Sequence, residues 1–415
     1  MIDIDKWQEI FQSISKHRLR AALTAFGVFW GIYMLVILMG AGKGLENGAT
    51  QNFDISKNAV FVWTRRTTLP YAGLQPGRFI ALKNDDMAAI RESVPEIDVI
   101  AARLQLGGNN TIERGDKSAA FTVYGDLPTY LEVKPLIIDN GRFMNDLDVE
   151  QKRKVVVIGE RVKEVMFAPD EDPIGEYLRI GGIMFKVVGT FKTKTKGEDG
   201  FEDVQSVYMP ITTMQQAFNR PERIGWFAFL PQPGIPAKVV EDKVRLLIAQ
   251  RHKVDPNDRS AIGSANVEEE YKQLQTVFGG IRGFSWLVAI GTIFAGMMGV
   301  GNIMMIIVKE RTKEIGIRKS VGATPGSIIA MIVQEALVLS GISGYLGLLA
   351  GCLTVEGIRQ GMLQFGVQSD FFANPQIDFT TAFVAVLVLV LAGVLAGLIP
   401  GLRAARINPV EALRT

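Results

Sequence analysis

Side chains that could carry out chemistry are scarce in this 415-residue sequence. It contains one cysteine, Cys352, and two histidines, His17 and His252. Nucleophilic catalysis needs an activated nucleophile beside a base, and the region around His252 offers a single base and no thiol. A lone cysteine excludes an internal disulfide framework and a cysteine-rich zinc or iron–sulfur site, and two histidines leave little for a histidine-built metal centre. We therefore expect no catalytic residues, bound cofactor or metal ion in this chain.

Two acidic features of the sequence could have a function: one cluster and one isolated glutamate. Glu198, Asp199, Glu202 and Asp203 lie close together in sequence and could bind calcium, but their spacing matches no EF-hand loop, and the glycines around them favour a solvated loop. Glu335 instead interrupts a long apolar run. An acid inside a membrane span is a functional candidate by default, and a structural hydrogen bond to another helix explains it equally well.

Apolar residues are gathered in four long runs, which set the architecture that must position these groups. Crossing a hydrocarbon core takes roughly 20 helical residues, and helices of soluble proteins keep a polar face. We predict transmembrane helices at residues 21–42, 283–308, 325–355 and 379–402. The first run is long for a signal peptide, which favours a retained anchor. The formal net charge of +2 is too small to indicate a protein that binds nucleic acid.

Lysine and arginine residues are concentrated in three segments, which together hold twelve of them in 45 residues. These segments are the amphipathic N-terminal residues 1–20, the connection 309–320 and the tail 403–415. The short loop 356–378 holds only Arg359. Because cytoplasmic loops carry the excess of positive charge, we predict that both termini and the connection 309–324 are cytoplasmic. Residues 43–282 then lie outside the cytoplasm.

The block 43–282 has the composition of a folded domain. Runs of β-branched and aromatic residues alternate in it with stretches of helical spacing. The clearest are the strands 155–159 and 185–191 and the helices 84–93 and 237–250. The predicted fold class is therefore a polytopic α-helical membrane protein with four transmembrane helices and a large α+β extracytoplasmic domain between the first and second. A domain of this length could have two lobes, joined at the polar stretch 192–203 or the proline-rich stretch 231–236.

A heptad pattern precedes the second predicted span. Apolar residues recur there at steps of 4, 3, 4 and 3, with charged residues off the seam. The seam consists of Val267, Tyr271, Leu274, Phe278 and Ile281. It predicts a helix near 266–282 that extends the second span as an external stalk, with Gly279 and Gly280 as the place where it could be interrupted. An amphipathic helix packed on its own domain has the same pattern, and both interpretations stay open.

The connection 309–324 has the start and stop signals of an ordered helix. It interleaves both signs of charge, and Glu314 precedes Arg318 at a favourable helical spacing. Thr324 and Pro325 suit the N-cap and first position of the next helix, and Asn408-Pro409 repeats this device in the tail. A loop that only sets topology needs none of this, so we predict a short surface helix that docks on a soluble partner. Its docking residues would be Glu310, Arg311, Glu314, Ile315, Ile317 and Arg318.

These segments resemble the signatures of MacB/FtsX-type ABC-transporter permeases. The permease motifs correspond to residues 309–322 (KERTKEIGIRKSVG), 334–337 (QEAL) and 400–413 (PGLRAARINPVEAL). The motifs similar to the MacB-type periplasmic core domain are residues 141–143 (GRF), 155–159 (VVVIG) and 172–175 (DPIG). The order of one span, a large external domain and three spans extends the resemblance over the whole chain.

The resemblance implies a bacterial inner-membrane permease that works as a homodimer, or with a closely related chain, and is driven by a cytoplasmic ATPase. It implies that the connection 309–324 is a coupling helix and that closure of the stalks does work in the periplasm, a mechanism called mechanotransmission. The sequence contains no G-x-x-x-x-G-K-[ST] phosphate loop. We therefore expect ATP and Mg²⁺ to bind a separate ATPase chain, a departure from MacB, which carries both parts on one polypeptide.

Export of an antibiotic, a peptide or a similar substrate is the function that the resemblance favours, with a periplasmic adaptor and an outer-membrane channel as further partners. Two alternatives stay open: an FtsX-like transmembrane regulator of cell-wall hydrolases, and a lipoprotein-releasing permease. The large external domain favours export over the first alternative, because FtsX-type chains carry a smaller one.

Overall fold

The computed structural model describes residues 18–51, 55–108, 110–193, 197–365, 369, 371–409 and 412. Most of the predicted N-terminal segment, residues 1–17, lies outside these ranges, and so do residues 410 and 411 of the predicted tail helix.

The elements follow one another in the order of a helix, a long α/β insertion and four more helices. In chain order they are α1 (Arg18–Gln51), β1 (Val60–Thr64), β2 (Leu82–Lys83), α2 (Asn84–Ser93), β3 (Ile97–Gln105), β4 (Thr111–Arg114), β5 (Lys117–Ala120), β6 (Thr122–Asp126), α3 (Tyr130–Val133), β7 (Ile137–Gly141), α4 (Asp146–Glu150), β8 (Val155–Gly159), α5 (Glu160–Met166), β9 (Tyr177–Ile180), β10 (Ile183–Lys192), α6 (Gly197–Val204), β11 (Ser206–Pro210), α7 (Ile211–Ala217), β12 (Arg223–Ile224), β13 (Trp226–Pro231), α8 (Ala237–Arg251), β14 (Ile262–Asn266), α9 (Val267–Glu310), α10 (Thr312–Ser320), α11 (Pro325–Gln364) and α12 (Phe379–Ala405).

The chain divides into two compact units, which are described separately. The inserted domain is Thr50–Thr276, and the membrane unit consists of α1, the part of α9 from Val277 onward, and α10 to α12. Four helices, α1, α9, α11 and α12, are long and apolar enough to cross a membrane. This confirms the predicted fold class. Because α11 continues to Gln364, it extends beyond residue 355, where we predicted the third span to end.

Glycines allow the membrane helices to pack closely. A Cβ atom added to Gly347 of α11 would lie 2.5 Å from the carbonyl oxygen of Phe29 in α1. One added to Gly397 of α12 would lie 2.8 Å from the Cα atom of Val333 in α11. Since side chains there would overlap neighbouring backbone, these small residues form contacts between helices of one protomer.

One mixed sheet runs through the inserted domain. Its strand order is β14-β1-β13-β3-β6-β11-β8-β10-β9-β4-β5, with β7 paired to β10, and β2 pairs with β12 separately. The pairs β8–β10 and β6–β11 are parallel, and the other pairs in this sheet are antiparallel. The sheet continues across both predicted joints in the described residues.

The core of the inserted domain follows from the strand sequences. β8 and β11 are buried along their whole length, as expected for strands covered on both faces. Ile90 of α2, Met214 of α7 and Val244 of α8 belong to the main apolar cluster of the sheet. A second cluster contains Phe143, Phe191 and Tyr208. β8 and β11 are apolar on both faces, and they therefore occupy central positions in the sheet, where both faces are covered.

A buried ion pair lies within the sheet. The Arg103 guanidinium donates hydrogen bonds of 2.7 and 2.6 Å to the two carboxylate oxygens of Asp126, and its carbon lies 3.6 Å from the Tyr130 ring centroid. Burial alone would lower the pKa of Arg103, but the charge and hydrogen bonds of Asp126, together with Tyr130 and Tyr208, outweigh burial and raise that pKa above its ordinary value. The pair is charged, closely packed and structural.

His252 takes part in a second structural cluster. Its Nε2 atom lies 2.9 Å from Oδ2 of Asp86, and Nε of Arg251 donates to Oδ1 of Asp86 at 2.8 Å. Burial would raise the pKa of Asp86, but these hydrogen bonds outweigh it and lower the pKa to about 2. The only histidine of the inserted domain thus joins α8 to α2.

The acidic cluster does not form the loop that we predicted. Its backbone is the helix α6, and the spacing of the four acids also fits one face of a helix. Asp203 is buried and accepts a hydrogen bond of 2.5 Å from Nζ of Lys134. The side chains of Glu198 and Asp199 lie outside the described residues. The prediction was wrong because helical spacing and one buried ion pair outweigh the glycines around the cluster.

Candidate functional site

A short helix, α10, begins within one residue of the end of α9. Arg311 is its N-cap, and Gly322 follows its end with a φ of +104°, which glycine adopts without strain. The next helix starts as predicted: Pro325 is in its first turn, and Thr324 accepts a hydrogen bond of 3.3 Å from the backbone N–H of Ser327. Local sequence thus accounts for the end of α10 and the start of α11.

Arg311 is the centre of an ion-pair network on one side of α10. Its Nε and Nη2 atoms donate to the carboxylate of Glu314 at 2.8 and 2.9 Å, and its Nη1 atom donates to Glu335 at 2.6 Å. Arg318 adds a contact of 2.8 Å to Glu314. The hydrogen bonds to Glu314, helped by the charge of Glu335, outweigh partial burial and raise the pKa of Arg311. Arg311 therefore stays charged at every physiological pH.

Glu335, the acid that interrupts the third apolar run, has its partner outside that run. Its side chain is only 7% exposed, and that of Arg311 only 14%. Glu335 lies ten residues after Pro325, about 15 Å along α11. The ion pair thus attaches α11 to the turn between α9 and α10.

Lys319 attaches the other end of α10 to α12. Its ammonium group donates to the carbonyl oxygens of Ala405 and Ile407 at 2.8 and 2.6 Å. The last carbonyls of a helix lack partners within the helix and carry partial negative charge, so a lysine there is favourable. Sequence reasoning missed this contact, because the basic residues of the connection were explained by topology alone.

The apolar residues of α10 point in two directions. Ile315, predicted as a docking residue, is 1% exposed and belongs to the apolar core of the membrane unit. Ile317 and Val321 are 48% and 84% exposed. Residues two apart on a helix lie about 200° apart around its axis. Ile315 therefore faces the core, and Ile317 faces outward.

The exposed side of α10 forms a continuous strip, which we call the α10 ridge. Its members are Lys313, Ile317, Ser320 and Val321, all exposed and spaced at helical intervals. Glu310, at the end of α9, is also exposed. The ridge combines two aliphatic side chains with a lysine. A protein surface with an apolar depression and acidic groups would complement it.

The predicted stalk seam is distributed over one long helix. α9 contains Gly279 and Gly280 without interruption. In the inserted domain Val267 is buried, Leu274 is half-buried and the Tyr271 hydroxyl lies 3.2 Å from Nζ of Lys57. In the membrane unit Phe278 and Ile281 line a cavity of about 450 Å³ together with residues of α1 and α12.

Groups that could hold a metal ion are absent from the described ranges: no three histidine, cysteine, aspartate or glutamate side chains gather closely enough. The distinctive polar arrangement of the membrane unit is the attachment of α10 to α11 and α12.

Two family models match the chain in the order of its units. The MacB-like periplasmic core domain matches residues 21–247, more than half of the chain. The FtsX-like permease C-terminal model matches residues 286–409, which include α10, α11 and α12.

Several curated proteins are similar over nearly the whole chain. The pyoverdine export ATP-binding/permease protein PvdT of Pseudomonas entomophila is 28% identical over 99% of this chain and 59% of its own length. The macrolide export ATP-binding/permease protein MacB of Rhodospirillum rubrum is 28% identical over 97% of this chain and also 59% of its own length. The chain thus spans about six tenths of these relatives. The crystal structure of the periplasmic region of MacB from Actinobacillus actinomycetemcomitans aligns with 54% of this chain and with 94% of its own chain. The sequence identity is 19% and the TM-score is 0.43.

Proposed function

The chain belongs to the MacB/FtsX-type ABC-transporter permease family, and we propose that it is the permease subunit of a mechanotransmitting exporter driven by a separate cytoplasmic ATPase. It is an inner-membrane protein with a periplasmic domain. In our proposal both termini and α10 lie in the cytoplasm, where the excess of lysine and arginine would keep them. ATP and Mg²⁺ would bind the ATPase, and this chain would bind neither.

The observation that carries the proposal is the two-sided construction of α10. One side is tied to α11 by Arg311 and Glu335 and to α12 by Lys319. The opposite side presents the α10 ridge, with Val321 84% exposed. A helix that only connected two spans would need no exposed aliphatic ridge and no buried ion pair. An ATPase that pushed on the ridge would therefore move several membrane helices together.

Motion would reach the periplasm through α9. This helix runs from Val267 to Glu310 without a break, and α10 begins at Thr312, after a single intervening residue. A displacement of α10 would be passed directly to α9, because only Arg311 lies between them. We propose that a second permease copy, or a closely related chain, supplies the partner for this movement, and that a periplasmic adaptor and an outer-membrane channel complete the pathway.

Export is favoured over regulation of cell-wall hydrolases by the match of residues 21–247 to the MacB-like periplasmic core domain. The relatives' names refer to export of pyoverdine and of macrolides. The substrate of this chain would be an antibiotic, a peptide or a similar molecule. A lipoprotein-releasing permease is the alternative that a substrate assay must distinguish.

The first test is co-purification of the detergent-solubilised chain from its native membrane, followed by mass spectrometry and an ATPase assay. We expect an ABC ATPase in the complex, together with an adaptor and a channel protein. Recovery of an ATPase with a cell-wall hydrolase would replace the exporter by a regulator, and recovery of no ATPase would contradict the energy source.

The second test addresses the α10 ridge. Ile317→Asp and Val321→Asp should each abolish binding of the ATPase and the ATP turnover that the permease stimulates, because a buried carboxylate would be left unpaired in the contact. The matched control is Leu246→Asp on α8, where the leucine is 47% exposed, close to the 48% of Ile317. Turnover that falls equally in the control, or in none of the variants, would contradict docking at the ridge. Charge reversal at Arg311 or Glu314 would instead disrupt the attachment of α10.

A further inference from the structure

The inserted domain contains a large basic groove that the proposed function does not use. It has a volume of about 1000 Å³ and lies between β1, β14 and the first half of α8. We call it the basic groove and define it by six of its lining residues: Trp63, Arg65, Arg66, Arg245, Arg259 and Ser264. Four of these six carry a guanidinium group.

The loops that carry Arg65, Arg66 and Arg259 are held by one buried acid. Asp258 accepts hydrogen bonds from the backbone N–H and the hydroxyl of Thr68 at 2.6 and 2.7 Å, and from the N–H of Ala261 at 3.1 Å. These contacts tie the loop after β1, which contains Arg65 and Arg66, to the loop before β14. The arginines are therefore presented by an ordered frame.

Trp63 forms a flat apolar wall of the groove. A Cβ atom on Gly263 of β14 would collide with the indole ring of Trp63. The absence of a side chain at residue 263 is what allows the ring to lie across the strand. An aromatic face beside several guanidinium groups suits a ligand that has both anionic groups and an apolar body.

The acid at the base of the groove is already committed to neighbouring side chains. Glu241 is buried and accepts hydrogen bonds from the Ser264 hydroxyl at 2.6 Å and from Nδ2 of Asn266 at 3.1 Å. Nη1 of Arg245 is 3.9 Å from this carboxylate, too far for a hydrogen bond. The full lining has five basic residues, Lys238 and the four arginines, against two acids, Glu241 and Glu269, so positive charge predominates in the groove.

Arg245 has hydrogen-bonding capacity that its surroundings do not fill. Its side chain is mostly buried on α8, and its Nε–H makes no hydrogen bond to any residue that the structure describes. Among those residues, Arg65 and Arg259 form no salt bridge. Buried donors in proteins normally have an acceptor, and a guanidinium group matches the geometry of carboxylate and phosphate.

We propose that the basic groove binds a small ligand with two or more carboxylate or phosphate groups. Arg245 would bind one oxyanion at the base, Arg65 and Arg259 would bind a second at the rim, and Trp63 would cover the apolar part. The groove lies within the inserted domain, so binding requires neither ATP nor the ATPase and is independent of the proposed function.

The test is calorimetric titration of the full chain in a non-ionic detergent, at low ionic strength, with citrate and with pyrophosphate as separate probes. Arg245→Gln and Arg259→Gln should each weaken binding by about 10- to 100-fold, the usual effect of losing a hydrogen bond between charged groups. The matched control is Arg161→Gln on α5. Arg161 is exposed outside the groove, and the change removes the same charge.

Each outcome decides the proposal. Binding of citrate alone assigns a carboxylate ligand, binding of pyrophosphate alone assigns a phosphate ligand, and binding of both assigns a general oxyanion site. Absence of binding by either probe, or an equal loss in the Arg161 control, would overturn the proposal. If Arg245→Gln does not fold, the exposed Arg259 provides the variant that still decides the question.

Discussion

Removing one partner of the Arg311–Glu335 ion pair should destabilise the protein as much as removing both. The pair is 2.6 Å long, with side chains 14% and 7% exposed. Losing one member of a buried pair typically costs about 3–5 kcal/mol, because the other charge stays buried. Arg311 also contacts Glu314, so we place Glu335→Leu and Arg311→Met at the lower end, about 3 kcal/mol each. The double variant should also cost about 3 kcal/mol instead of the additive value of about 6, a coupling of about 3 kcal/mol.

Thermal unfolding of the full chain in detergent, followed by intrinsic fluorescence, measures this coupling. Each single variant should lower the Tm of the membrane unit, which comprises about 190 residues, by about 6–12 °C, and the double variant should fall within the same range. Glu335→Gln keeps the size of the side chain but removes its charge. If the pair transmits force, this variant should also lower the ATP turnover that the permease stimulates, whereas a purely structural pair would change stability alone.

Additive losses in the double variant would refute the reasoning, because they would mean that Arg311 and Glu335 are not energetically coupled. Unchanged turnover in Glu335→Gln, with lowered stability, would limit the pair to a structural role.

Three further predictions concern packing, a buried charge and pH. Gly347→Ala should cost about 1–3 kcal/mol, since its Cβ would press on the carbonyl oxygen of Phe29; Gly341→Ala, with open space around it, is the control in the same thermal assay. Arg103→Lys should cost about 2–4 kcal/mol in chemical denaturation, because a lysine cannot replace the two-point hydrogen bond and leaves a buried carboxylate underused. Asp86 has a folded-state pKa lowered to about 2, so its stabilisation is present above its unfolded-state pKa and lost as the pH falls. The loss, about 2 kcal/mol between about pH 4 and pH 2, should disappear in Asp86→Asn when unfolding is measured against pH.

The membrane helices and the fold class could be predicted from the sequence because their signal is local. A run such as residues 283–308 carries no charge, so its length and composition alone identify a span. The start of α11 was equally clear, since Thr324 and Pro325 have intrinsic preferences for the first helical positions. The two parallel pairs of the large sheet join strands far apart in sequence, such as Thr122–Asp126 with Ser206–Pro210. Nothing in either strand alone specifies that pairing.

The candidate site could be predicted only in part, because the attachment of α10 to α11 and α12 depends on contacts between segments far apart in sequence. Glu335 was recognised as unusual, but its partner Arg311 is 24 residues away and becomes a neighbour only when α9 and α11 pack together. The docking set was wrong for Ile315, because residues 315 and 317 were assigned to one face without the helical angle between them. The hydrogen bonds from Lys319 to the end of α12 join residues more than 80 positions apart, and no periodic pattern in the sequence predicts them.

The separation of the two sides of α10 has a consequence for how such permeases diversify. Residues that hold the helix in place, such as Arg311 and Lys319, do not belong to the exposed ridge, and Ile317 and Val321 contribute little to internal packing. If the ATPase docks on the α10 ridge as we propose, substitutions there would change which ATPase is accepted without a penalty in folding. After duplication of this chain, each copy could then pair with a different ATPase through changes at the four ridge residues. The contacts that attach α10 to α11 and α12 would stay unchanged.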